Sequence, residues 1–354
     1  MTDRKQVVEH LRSTFGDRLQ RLRMPEAEPP GQPAPPRVET QTGTHLPQNA
    51  QLREVAEGAA GARRDVLAAA SGALAKVEDG REDQLSPTEQ VALEAIILVQ
   101  GRPPLFVQGG DFQEPPPLWA VLEQHRAAIR SSIARVGRIE VAGHPDFTWL
   151  GTGFLAGQNA IITNRHVALE FAAADGARWN FRSGMSARLD LNEEHGALDP
   201  VEFEVTGILG IHSDHDLAVL SVAPAGGAGT LPEPLVIARE QPGAVVQRQV
   251  YVIGYPAWDG RRNDPDYMAQ IFRNVYNVKR LQPGLITQWP NGAAEFQHDC
   301  STLGGNSGSP VFDLETHTVV GLHFGGRYLI TNHAVALWRL AGDPLLVAAG
   351  VNFG

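Results

Sequence analysis

The chain has 354 residues, 42 % of them apolar and 20 % charged, an ordinary globular composition long enough for two or more structural units and a core that needs no staples. A net charge of −10 argues against general nucleic-acid affinity, and the lone cysteine, Cys300, excludes an intrachain disulfide. Residues 1–23 hold no apolar core of signal-peptide length and no stretch reaches the length of a membrane span, so the expected placement is cytoplasmic, with no integral membrane segment.

Residues 1–25 read as an amphipathic helix. Val8, Leu11, Phe15, Leu19 and Leu22 form an apolar stripe at helical spacing among Arg4, Lys5, Arg12, Arg18, Arg21 and Arg23. Residues 26–50, with Pro29-Pro30, Pro33 and Pro35-Pro36, read as an extended or disordered linker. Residues 51–135 read as a helical region. Within it Ser86-Pro87-Thr88-Glu89 is a strong helix start, with a serine cap, proline at the first helical position and a glutamate that reaches back. After a Pro/Gly-rich connection, Pro117-Leu118-Trp119 opens a further helix to about Ala134, with Leu122, Ile129 and Ile133 on one face. This region holds no catalytic constellation. For the amphipathic helix over 1–25 a partner helix or a tertiary contact is the expected use, with a membrane surface as the alternative, and the N-terminal helices are where a regulatory protein partner would dock.

From Val136 to Gly354 the pattern becomes β. Arg138 to Val141 reads as the first strand. Gly151-Thr152-Gly153-Phe154-Leu155 and Ala160-Ile161-Ile162-Thr163-Asn164-Arg165-His166-Val167 read as a hairpin whose second strand delivers His166 at its end. In His212-Ser213-Asp214-His215-Asp216 an acid then directly precedes the strand Leu217 to Leu220. Asp216 fits best because it abuts that strand, with Asp214 as second choice. The same cluster has metal-ligand residue types, but a strand turns only alternate residues to one face, so no metal or cofactor is expected. Finally Gly304-Gly305-Asn306-Ser307-Gly308 sets a serine between glycines ahead of an apolar run. A nucleophilic hydroxyl needs such a sharp turn, with backbone donors left for an oxyanion.

The chain order is therefore His, Asp, Ser. An α/β-hydrolase runs Ser, Asp, His and a subtilisin-like enzyme Asp, His, Ser, so the chymotrypsin-like order remains. These segments, with Val252-Ile253-Gly254-Tyr255-Pro256 and Val319-Val320-Gly321-Leu322-His323-Phe324-Gly325-Gly326, resemble the trypsin-like serine peptidases, most closely the bacterial branch that includes the glutamyl endopeptidases. The resemblance covers the chain from about Val136 onward. It implies an all-β domain of two barrels, closed by a short C-terminal helix and preceded by the α-helical N-terminal region.

It also implies roles. Ser307 attacks, His166 is the base and Asp216 orients it; the oxyanion hole is the N–H groups of Gly305 and Ser307. The substrate is a polypeptide. The residue six before the nucleophile, which is acidic in enzymes that cut after Lys or Arg, is Ser301. Thr302 and His323 match the positions that bind a substrate carboxylate in the glutamyl endopeptidases, so cleavage after Glu, then Asp, is expected, with small or apolar residues as the alternative. The activation device of trypsin-like zymogens needs an aspartate just before the serine; Asn306 cannot form that ion pair. Two other readings stay open: a catalytically silent binding or scaffold module on the same fold, and an effector peptidase activated by a partner through the N-terminal helices.

Overall fold

The computed structural model describes residues 102–354, apart from 177, 225–228, 259–264, 291 and 328–330, together with Lys76 and Gln84. The chain divides into two compact units, Met1–Gly101 and Arg102–Gly354. The amphipathic helix over 1–25, the linker over 26–50 and the helices read between 51 and 100 lie outside the described residues, Lys76 and Gln84 excepted. Among the described residues no helix is long and apolar enough to cross a membrane.

The second unit starts before the barrels. Residues 102–135, assigned from sequence to the helical region, include a hairpin of Leu105–Gln108 (β1) and Asp111–Phe112 (β2). Four alternating residues are too short a signal to stand out among prolines, yet Leu105 and Val107 are fully buried. The expected helix follows in two pieces, a 3-10 stretch over Pro117–His125 and an α-helix over Arg126–Ile133 (α1). The break falls at His125 (φ −105°, ψ 4°), and the 3-10 stretch is itself kinked at the buried Trp119 (φ −111°, ψ 19°). Leu122, Ile129 and Ile133 are all fully buried.

The first barrel is built from Val136–Ala142 (β3), Trp149–Gly157 (β4) and Ala160–Thr163 (β5). A short helix, Arg165–Phe171 (α2), and a two-stranded flap, Ala172–Asp175 (β6) with Arg178–Phe181 (β7), interrupt it. Ser186–Asp190 (β8), Glu202–Ile211 (β9) and Ala218–Pro224 (β10) then complete a closed barrel in the order β10-β5-β4-β3-β8-β9.

Gln249–Gly254 (β11) opens the second barrel, followed by a helix over Pro265–Phe272 (α3). Arg280–Gln288 (β12), Glu295–His298 (β13), Pro310–Asp313 (β14), Val319–Arg327 (β15) and Thr331–Ala336 (β16) complete it. The order is β11-β14-β15-β16-β13-β12, and β11 pairs with β12 to close it. The early hairpin joins here, with Leu105 opposite Leu281. The chain ends in a 3-10 turn, Leu337–Leu340, and a five-residue helix, Pro344–Ala348 (α4), capped by the Asp343 carboxylate.

Strand periodicity explains why these segments read as near-continuous apolar runs: successive side chains face opposite sides of a sheet, and both sides are buried. Leu155, Ile161 and Leu220 fill the first barrel, while their neighbours Phe154, Ile162 and Val219 join a separate cluster. Likewise Val250, Val252 and Val311 fill the second barrel, and Tyr251, Ile253 and Phe312 join that same separate cluster. Leu122, Ile129 and Ile133 join it too. It is the seam between the barrels, and α1 is part of it. A fully buried lysine stitches the seam: Lys279 Nζ donates to Ile133 O (3.1 Å) and Leu191 O (2.7 Å) and lies 3.5 Å from Glu194. Burial lowers its pKa to about 8.

Candidate active site

His166 sits in the first turn of α2 rather than on the strand the sequence suggested: β5 ends at Thr163, and the chain turns at the extended, buried Asn164. The turn is tied to the loop that carries the acid. Asn164 Nδ2 donates to Asp216 O (2.8 Å), and Arg165 Nη1 to Ser213 O (2.7 Å) and His212 O (3.2 Å). Asp216 then receives two bonds from one residue, the His166 backbone N–H on Oδ1 (3.0 Å) and the ring Nδ1 on Oδ2 (2.6 Å). A carboxylate on Nδ1 places the proton there and leaves Nε2 bare, the tautomer of a base. Burial pushes the Asp216 carboxyl up, but the bonds and charge of His166 more than offset this and hold it below its ordinary range. The His166 side chain is 50 % exposed, so its free nitrogen can reach a substrate.

Asp214 takes no part in this pairing; its Oδ2 accepts from Ser213 Oγ (2.8 Å). Both nitrogens of His212 are engaged, Nδ1 by the N–H groups of Asp214 and His215 and Nε2 by Asp343 (3.1 Å). Among the described residues no group of three or more His, Cys, Asp or Glu is arranged to hold a metal.

The serine loop rests on β4. Thr152 N–H donates to Ser307 O (2.8 Å), and the Thr152 hydroxyl to Gly305 O (2.8 Å). The Thr163 hydroxyl, three residues before His166, donates to Thr152 O (2.8 Å). Gly308, at φ 89°, sits where a side chain would come within 2.0 Å of Thr152 O and 2.5 Å of that same Thr163 hydroxyl. A side chain at Gly151 would meet Ser307 O at 2.8 Å and Val167 at 3.0 Å. One patch of β4 thus carries both the serine loop and the start of α2. Ser307 Oγ makes no hydrogen bond among the described residues; contacts between nucleophile and base are often long without substrate and tighten around it.

The peptides flanking Ser307 have fixed directions. Gly304 O accepts from Ala257 N–H (2.6 Å) and Asn306 O from Ser309 N–H (2.9 Å). A trans peptide points its N–H opposite its carbonyl, so the N–H groups of Gly305 and Ser307 face away from those anchors. Gly305, at φ 83°, is wedged between Tyr255 O and the Trp149 ring, leaving no room for a side chain. Asn306 is fully buried, with Oδ1 accepting from Gln282 Nε2 (2.9 Å). It serves the loop as a neutral strut.

The residues that the sequence assigned to a substrate pocket lie on the second barrel. Ser301 Oγ donates to Arg102 O (2.7 Å), and Arg102 pairs with Asp299, so the strap that begins the unit is bound to this segment. The Thr302 hydroxyl is engaged with Asn332 Oδ1 (2.7 Å), while Asn332 Nδ2 holds Cys300 O (2.7 Å). His323 is 2 % exposed, and its Nδ1 faces Nε2 of the fully buried His298 at 3.1 Å. Burial, reinforced by neighbouring histidines, holds His323 well below the ordinary histidine range, and burial drops His298 to about 3. Among the described residues, His298 Nδ1 is buried with no partner.

Sequence reasoning missed Thr152, Trp149, Ala257 and His298. Thr152 had a signal, since glycines on both sides of a strand residue mark close backbone approach. His298 had a weaker one, its alternation with the buried Phe296. Ala257 acts through its backbone and had none.

Residues 151–322 match the family model of the trypsin-like peptidase domain. The glutamyl endopeptidase of Staphylococcus epidermidis is 30 % identical over 179 residues, covering 50 % of this chain and 54 % of that protein. The glutamyl endopeptidase of Staphylococcus aureus strain MW2 is 29 % identical over 185 residues, 51 % of this chain and 48 % of that protein. The chain therefore spans about half the length of these relatives. The crystal structure of the Rv3671c protease from M. tuberculosis in its active form aligns with 68 % of this chain and 89 % of its own, at 20 % identity and a TM-score of 0.42. His166, Asp216 and Ser307 all lie inside residues 151–322, the segment that is similar to the trypsin-like peptidase domain.

Proposed function

We propose that the protein is a serine endopeptidase that hydrolyses polypeptides through an acyl-enzyme. The observation that carries this reading is the Asp216 carboxylate bound to both the backbone and the ring of His166, with a half-exposed imidazole beside the serine loop. His166 Nε2 takes the Ser307 proton as the hydroxyl attacks, and returns it to the leaving amine. Asp216 keeps the tautomer and stabilises the imidazolium. The N–H groups of Gly305 and Ser307 receive the oxyanion, on a loop whose neighbouring carbonyls are already tied down, so little reorganisation accompanies the chemistry. A fluorophosphonate probe tests this directly: it labels the full chain at Ser307 and leaves Ser307→Ala unlabelled. Absence of labelling on folded protein favours the silent-module reading.

We extend the proposal to cleavage after glutamate. The buried histidine pair supports it through its tautomers. An unpartnered buried N–H costs more than an unpartnered acceptor, so His298 keeps Nδ1 bare and donates from Nε2 to His323 Nδ1. His323 then carries its proton on Nε2, the remaining donor for a substrate carboxylate. That carboxylate would itself draw His323 toward the charged form. The Thr302 hydroxyl must turn from Asn332 to contribute. Matched peptides differing only in the residue before the scissile bond, assayed with the native chain and His323→Ala, test the preference; equal rates for Glu, Ala and Leu sink it. Location in the cytoplasm is proposed with it, on the ground that the lone, buried Cys300 makes the domain indifferent to reductant.

A further inference from the structure

We propose that Thr152 is a positioning residue for the oxyanion hole, its hydroxyl holding the Gly305 carbonyl so that the Gly304–Gly305 peptide keeps its N–H toward the reacting carbonyl. The inference rests on the serine-peptidase reading above. Two consecutive glycines make that peptide the softest part of the loop, because neither residue has a Cβ to restrict its dihedrals. Two hydrogen bonds fix it: Ala257 N–H on its own carbonyl, Gly304 O (2.6 Å), and Thr152 Oγ1 on the carbonyl of the next peptide, Gly305 O (2.8 Å). Only the second comes from a side chain.

Thr152 suits the task. It is fully buried, its N–H is committed to Ser307 O and its carbonyl to the Thr163 hydroxyl, so its backbone cannot shift without moving the nucleophile and the turn that leads to His166. Its β-branched side chain has few χ1 choices. Without the hydroxyl, Gly305 O loses this donor, and rotation of the glycine pair becomes the route to another partner. Thr152 touches no substrate; it acts through Gly305.

The test uses the full chain with Thr152→Val, which keeps the shape and removes the donor, and Thr152→Ser, which keeps the donor. Thr152→Val is expected to lose about ten- to hundred-fold in kcat with KM within about three-fold, the scale of a misplaced rather than a missing oxyanion donor. Affinity for a peptide aldehyde, whose serine adduct carries an oxyanion, falls in parallel. Thr152→Ser stays within about three-fold of the native rate, a rescue that a purely packing role does not give. A Thr152→Val rate equal to the native one, an equal loss in both variants, or a loss confined to KM overturns the proposal. If the unaltered chain does not turn over peptides, the peptidase reading fails, and the loop still reports by NMR on glycine-labelled protein. There the Gly305 amide holds one position in the native chain and Thr152→Ser and shifts or doubles in Thr152→Val; an unchanged Gly305 signal overturns the proposal. If Thr152→Val does not fold, Thr152→Ala reads the same loss.

Discussion

The two barrels contribute histidines of opposite character. His166, from the first, is half exposed and bound to a carboxylate. His323, from the second, is buried, bound to another histidine and held neutral. A residue that must gain and lose a proton each turnover needs solvent and an anion to support its charged form. A residue that must recognise a carboxylate gains from a dry site, where a single donor is worth more than in water. Under the proposed function, the same side chain is thus set to two tasks by burial and partner alone.

The comparison breaks first at the triad. Ser307→Ala and His166→Ala are expected to lower kcat by about six orders of magnitude, and Asp216→Asn by about four, with the fold intact by circular dichroism. If Asp214→Asn is as damaging as Asp216→Asn, the acid has been misplaced. At the other histidine, His323→Ala is expected to cut the preference for Glu over Ala by about a hundred-fold or more while rates on the Ala peptide fall little, because a polar pocket that loses its donor stops discriminating. Equal loss on both peptides would place His323 in the chemistry rather than in recognition.

Acid sharpens the contrast. His298 has a folded pKa of about 3 against about 6.5 when unfolded. Between those values the unfolded chain binds the proton and the folded chain does not, so stability falls as pH drops from 6.5 toward 3. His298→Leu removes part of that fall: the loss of Tm between pH 7 and pH 4.5 is expected to shrink by about 2–4 °C per kcal/mol recovered. An identical loss in both proteins contradicts the buried, neutral pair. Asp216 opposes charge loss in the other barrel, since its lowered pKa gives stability that is present above the unfolded pKa and disappears as pH falls through the folded one.

The smallest effects concern what the domain does without. Active chain, captured by fluorophosphonate and weighed intact, should show no cut between Arg138 and Ile139; Ile139 is fully buried within β3, and Asn306 offers no charge to a freed amine. Burial pushes the Cys300 thiol well above its ordinary range, so iodoacetamide should label it only after unfolding. Rapid labelling of native protein contradicts that.

The segments around Asp216 and Ser307 and the barrel strands were legible because each depends on a short local pattern: an acid against a strand, a serine between glycines, apolar runs ended by turns. The His166 turn was not, since nothing local says that β5 stops at Thr163; the stop comes from Asn164 and Arg165 bonding to a loop some 50 residues away. The β1–β2 hairpin was hidden for a related reason. Its four-residue strand has meaning only beside β12, a neighbour more than 170 residues later. The pairing of His298 with His323 likewise depends on two strands meeting in a dry interior.

The strap at Arg102 sets a practical limit on how the molecule can be cut. A chain shortened to begin near Ser132, as the strand pattern alone suggests, would drop a strand pair from the edge of β12, remove most of α1 from the seam and strip Arg102 from Asp299 and Ser301. Such a fragment would keep His166, Asp216 and Ser307 and still expose an apolar furrow and leave Asp299 and Ser301 without Arg102. Expression trials that start at residue 136 would then report aggregation and read as inactivity, whereas those that start at or before residue 102 keep these contacts.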